Sequence, residues 1–120
     1  MMRLIGIPWG TKPPPEEADC LTLAIYAQKL IWNRDIKLDM NIDWTLDTLR
    51  ERSYEVEKEI SRFAFRVPEA EVGDVAIIET CGYHHLVTFV DIGKILHTML
   101  NGRSRISRFR GKVVSVWSLQ

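Results

Sequence analysis

Apolar positions in the first half of the chain recur at helical spacing, and those in the second half fall into short runs separated by turn residues. Leu21, Ala24, Ile25 and Leu30 share one face of a helical period, which predicts a helix from about Cys20 to Trp32 or Asn33. Asp19 precedes it and suits the N-cap, because its carboxylate accepts from the free N–H groups of the first turn. Leu49, Val56, Ile60 and Phe63 fall at spacings of seven, four and three. That stripe predicts a second helix beginning near Asp43 or Trp44. Asp47, Arg50, Glu51, Glu55, Lys58, Glu59 and Arg62 populate its other faces and read as a solvated surface. Pro8, Gly10 and Pro13-Pro14-Pro15 exclude regular structure between Trp9 and Ala18. Met1 to Ile7 is short and apolar, compatible with a strand or one helical turn.

From Asp74 the period changes. Val75-Ala76-Ile77-Ile78 is an apolar run bounded by Gly73 and Gly82, as expected of a buried strand. His85 to Val90 is β-branched and aromatic. Asp91-Ile92-Gly93 has turn chemistry, and Lys94 to Met99 resumes as a strand. Asn101-Gly102 is a hairpin signal, and Arg103–Phe109 and Lys112–Trp117 supply two further strands around Gly111. The expectation is one α+β domain spanning residues 1–120, with N-terminal helices packed on a C-terminal antiparallel sheet of about five strands.

Composition narrows the function classes. Sixteen basic residues balance sixteen acidic ones, which argues against a nucleic-acid partner. No apolar run approaches the roughly 20 residues of a membrane span. The first residues run into Pro8 too soon for a secretory signal, so the expected location is the cytoplasm at synthesis, or a larger particle in which the chain is packaged. Two cysteines make no disulfide framework. Arg103, Arg105, Arg108, Arg110 and Lys112 form a local basic cluster, read first as charge blunting a strand edge. Contact with an anionic polymer or a partner protein is the alternative.

Chemistry centres on three residues. Taken alone, Cys20 reads as a small buried apolar residue. At a helix N-terminus, however, the dipole favours its thiolate, the nucleophilic form. His85 and His97 are twelve residues apart on strands joined by the 91–94 turn. Symmetric pairing would set them opposite each other, or nearly so, on one face. One imidazole as base and a second that orients it is a workable arrangement for nucleophilic catalysis. His84 and His85 point to opposite faces of a strand, so only one can join such a site. A zinc site from Cys20, Cys81, His85 and His97 lacks the close ligand spacing of structural zinc and ranks low. No metal or other cofactor is expected.

Four segments together resemble the NlpC-type cysteine peptidases, papain-like enzymes that cut peptidoglycan peptides. Ile7-Pro8-Trp9-Gly10 resembles the loop before the family's nucleophile, and Asp19-Cys20-Leu21-Thr22-Leu23 its Asp-Cys motif. Gly73-Asp74-Val75-Ala76-Ile77 resembles its Gly-Asp strand; His85 to Phe89 with Ile95-Leu96-His97 resembles its two histidine-bearing strands. The set spans nearly the whole chain and looks most like the phage-tail branch. The resemblance implies Cys20 as nucleophile, His85 as base and His97 as orienting residue. The aromatic Phe89, four residues on, favours His85 over His84. Trp9 stands where the family often has a tyrosine supporting the oxyanion, and Val87 where a small residue is usual. The implied substrate is a peptidoglycan stem peptide, and the implied partners are phage tail proteins. The competing expectation is a structural or assembly protein of a tail or similar particle that keeps the fold without turnover.

Overall fold

The computed structural model describes residues 2–37, 49–80, 83–99 and 101–119. A 3-10 turn over Met2–Leu4 is followed by helix α1 (Cys20–Trp32) and helix α2 (Leu49–Ile60). Strands β1 (Phe65–Arg66), β2 (Val75–Thr80), β3 (Tyr83–Asp91), β4 (Lys94–His97), β5 (Arg105–Arg108) and β6 (Lys112–Ser118) complete the order. The expected start of α2 at Asp43 or Trp44 lies outside the described residues.

Helix α1 begins where its cap chemistry dictates. The Asp19 carboxylate accepts from the Thr22 N–H at 2.8 Å, and the Thr22 hydroxyl accepts from the Asp19 N–H at 2.9 Å. This reciprocal box places Cys20 at the first helical position. The helix ends at Asn33 in the left-handed conformation, φ 54°, which asparagine tolerates better than most residues. Its buried stripe is wider than four residues: Leu23, Ala27 and Gln28 join Leu21 and Ala24, whereas Ile25 and Leu30 are only half-buried. Gln28 is fully buried and satisfied. Its amide donates to the Gly73 carbonyl at 2.9 Å and accepts from Arg34 at 2.9 Å. That network ties the end of α1 to the entry of β2.

The six strands pair antiparallel in the order β1-β6-β2-β3-β4-β5. One strand exceeds the expected five. The addition, β1, is two exposed residues bonded edgewise to β6, and so short a segment carries no hydrophobic period to read. The Asn101-Gly102 turn is not the tight hairpin its dipeptide suggests. Residues 98–104 separate β4 from β5 because the chain's own beginning pairs with this stretch instead. The Ser104 hydroxyl donates to the Leu4 carbonyl at 2.6 Å and accepts from the Ile7 N–H at 2.8 Å, while the Trp9 N–H donates to Gly102 at 2.9 Å.

The connection from β5 to β6 forces the sheet to bend. Only residues 109–111 join the two strands, yet β4, β3 and β2 stand between them. Laid flat, four strand spacings would separate them by about 19 Å, and the link from Arg108 to Lys112 reaches at most about 14 Å. The sheet therefore curls into a trough. Gly111, at the end of that link, lies close beside β2. With φ at +106°, its Cα lies so close to β2 that a Cβ would sit 2.9 Å from the Glu79 carbonyl oxygen and 3.5 Å from Ile78 and Thr80 side-chain atoms.

Strand alternation then sorts the core. Val75, Ile77, Leu86 and Trp117 face α1 and α2, meeting Cys20, Leu21, Ala24, Val56 and Ile60. Leu96 packs with Leu23 and Ala27 on that same side. Ala76, Ile78, Val87, Ile95 and Val116 fill the trough, with Phe89 and Phe109 against them.

Candidate functional site

Cys20 lies under the sheet with 8 % of its surface exposed. The Leu86 backbone of β3 and the helix-terminal amides of Cys20 and Leu21 favour the thiolate. Burial outweighs them: desolvation, aided by the neighbouring Asp19 charge, pushes the thiol up to about 12. At neutral pH the group is a thiol, and the helix terminus alone does not activate it.

His85 and His97 come together elsewhere, in a cavity of about 400 Å³ in the trough, where Ile78, Val87 and Ile95 form an apolar floor. The β3–β4 register runs Thr88↔Leu96 and Phe89↔Ile95 and shifts before Asp91↔Lys94. Continued toward His97, it sets that residue across from Val87. The two histidines are thus diagonal neighbours on one face, one step away from the expected opposition. The turn closes on Asp91↔Lys94, a pairing that by itself would set His97 across from Thr88; the shift moves it across from Val87, onto the face of His85.

Ser107, on the neighbouring strand β5, supplies what the sequence reading missed. Its hydroxyl is 2.8 Å from His97 Nε2, within hydrogen-bond distance. Parity on β5 was the available signal, since Arg105 and Ser107 share a face and His97 pairs with Arg105. His85 Nε2 is buried without a hydrogen-bond partner among the described residues. Both imidazoles are held below their ordinary value, chiefly by desolvation. The adjacent His84 adds to the effect at His85, and Arg105 and His85 add to it at His97.

The third candidate does not line that cavity. Cys20 packs with Leu86 on the helix side, whereas His85 and Val87 project into the trough. His84, opposite Glu79 in the ladder, is the histidine whose strand parity matches Leu86. Trp9 packs partly buried against the cluster that holds Cys20, and its segment also borders a second, more open hollow beside Gly102 and Arg103. Cys81 lies outside the described residues.

No described helix is long and apolar enough to cross a membrane. Comparison with protein-family models, with curated proteins and with solved structures finds no match to this chain.

Proposed function

We propose that the chain is a cysteine amidase or endopeptidase of papain-like fold, similar to the NlpC-type enzymes and acting on peptidoglycan stem peptides in a phage-tail setting. What supports this reading is the four-segment resemblance together with one adjacency: Cys20 and His85 flank the same peptide of β3, from opposite faces. The β3 backbone that favours the thiolate is that of Leu86, the residue after His85, and the His85 ring shares its cavity with His97.

The resting pair is a neutral thiol and a neutral imidazole. Once the sulfur is brought round to the His85 face of β3, His85 takes the thiol proton as sulfur bonds to the substrate carbonyl carbon, which gives a tetrahedral oxyanion. The Cys20 N–H at the start of α1 donates to that oxyanion, with Trp9 beside it. His85 then passes its proton to the leaving amine as the C–N bond breaks. Water attacks the thioester, His85 removes its proton, and that proton returns to the departing sulfur. His97, held by Ser107, orients the base.

The test is hydrolysis of purified peptidoglycan by the intact chain. Wild type should release peptide fragments, and Cys20→Ala and His85→Ala should each lose at least about 10³-fold. His84→Ala should retain activity. Loss in His84→Ala with retention in His85→Ala would transfer the base role to the histidine that matches Leu86 in parity. Equal activity in wild type and Cys20→Ala would end the reading.

The second reading, a tail or assembly protein that keeps the fold without turnover, draws on one observation. A thiol pushed up to about 12 is a poor nucleophile. Iodoacetamide separates the two readings: an enzyme alkylates at Cys20 faster than a model thiol, and a structural relic does so much more slowly.

A further inference from the structure

We propose that the trough cavity binds an organic oxyanion, a carboxylate or phosphate head carried on an aliphatic body. This goes beyond the hydrolase reading and stands whether or not Cys20 reacts. Arg105, Arg108 and Arg110 line one side of the cavity, and no described Asp or Glu lines it. None of the three arginines forms an ion pair with a described carboxylate. Three guanidinium groups lining one hollow repel one another and have no counterion among the described residues, and the planar fork of each suits two oxygens of a carboxylate or phosphate. The basic cluster of the sequence is therefore divided by the fold. Arg103 turns back to the Gly6 carbonyl at 3.0 Å, while the other three arginines line the cavity.

The opposite side is apolar. Ile78, Val87, Ile95 and Met99 form a floor that a bare inorganic anion would leave uncovered. A volume of about 400 Å³ is within the range of sites that hold a small organic molecule. Both imidazoles stay neutral near pH 7, so the positive charge comes from the arginines and binding does not require an acidic medium.

The intact chain is titrated by calorimetry with octanoate, octyl phosphate, octyltrimethylammonium and inorganic phosphate. The two octyl anions should bind, and the octyl cation should bind at least about tenfold more weakly. Inorganic phosphate should also be the weaker ligand, because it leaves the floor exposed. The tighter of octanoate and octyl phosphate identifies the head group. Arg108→Gln/Arg110→Gln should weaken the octyl anions by at least about tenfold, and Lys58→Gln, remote from the cavity, should not. If the double variant fails to fold, the salt dependence of the wild-type chain decides. Affinity falling several-fold between low and physiological salt supports the proposal, and no change overturns it. Equal binding of cation and anion, or unchanged binding by a folded double variant, also overturns it. Inorganic phosphate binding as tightly as octyl phosphate overturns the assignment of the floor.

Discussion

The same strands build two unlike surfaces. On the helix side, Ile77, Leu86 and Leu96 are covered by α1 and α2, and Cys20 is sealed in with them. On the trough side, Ile78, Val87 and Ile95 are covered only by the sheet's own curl, which leaves a cavity rimmed by histidines and arginines. A curled sheet cannot seal both of its ends, whereas a helix laid across strands fills the space above them. The nucleophile candidate is accordingly dry and pinned, and the imidazoles stand beside a void. Any chemistry between them has to work across β3, at the peptide that joins His85 to Leu86.

The largest effect expected from this contrast is a difference in core cost. Ile77→Ala should destabilise the fold by about 4 kcal/mol, since packed side chains surround the space it leaves. Ile95→Ala should cost about 2 kcal/mol, because the deleted atoms border an existing cavity and their loss only enlarges it. Urea unfolding of the two variants measures both, and equal losses would mean that the trough is packed as tightly as the helix side.

A smaller effect should come from the cap that positions the thiol. Asp19→Ala removes the acceptor for the Thr22 N–H and should cost about 1 kcal/mol. It also removes the charge beside Cys20, so the thiol should titrate lower than about 12. Thermal melts follow the loss of stability, and absorbance near 240 nm follows the thiol.

The smallest effects are pH limbs, and the two faces should produce them at opposite ends of the scale. In the unfolded chain His85 and His97 take up protons near 6.5, while in the fold both are held lower. Falling pH therefore favours unfolding from about 6.5 downward, until the folded values are passed. Cys20 has the reverse sign. Unfolded, it ionises near 9.0; folded, it keeps its proton to about 12. Its contribution is fully present below 9.0 and is lost as pH rises toward 12. Stability curves of wild type and Cys20→Ser should diverge on the alkaline side alone, and His85→Gln should change the acid side alone. For hydrolysis, the low value of His85 moves the acid limb of activity below pH 6.5.

Local chemistry made much of this molecule readable. Helix α1 starts at Cys20 and ends at Trp32 because a cap residue, an apolar stripe and Asn33 agree over a few residues. Val56 and Ile60 are buried and Phe63 packs against them, as their stripe requires. Five strands fall within about two residues of their expected bounds. What escaped involves partners distant along the chain. The Asn101-Gly102 stretch reads as a tight turn until residues 4–9 pair with it. The Ser107 contact with His97 depends on β5 lying beside β4.

The sequence by itself determined where α1 begins and which residues alternate along each strand. Those outcomes depend on cap hydrogen bonds and side-chain period, which act between near neighbours. Tertiary structure alone decided that β6 returns beside β2 over a three-residue link, that the sheet curls as a result, and that three arginines line one hollow. Chain closure is a property of the whole strand order, and no window of neighbouring residues contains it. Alternation along β3 puts His85 and Leu86 on opposite faces, and the packing of α1 on the Leu86 face decided that Cys20 and His85 approach β3 from different sides.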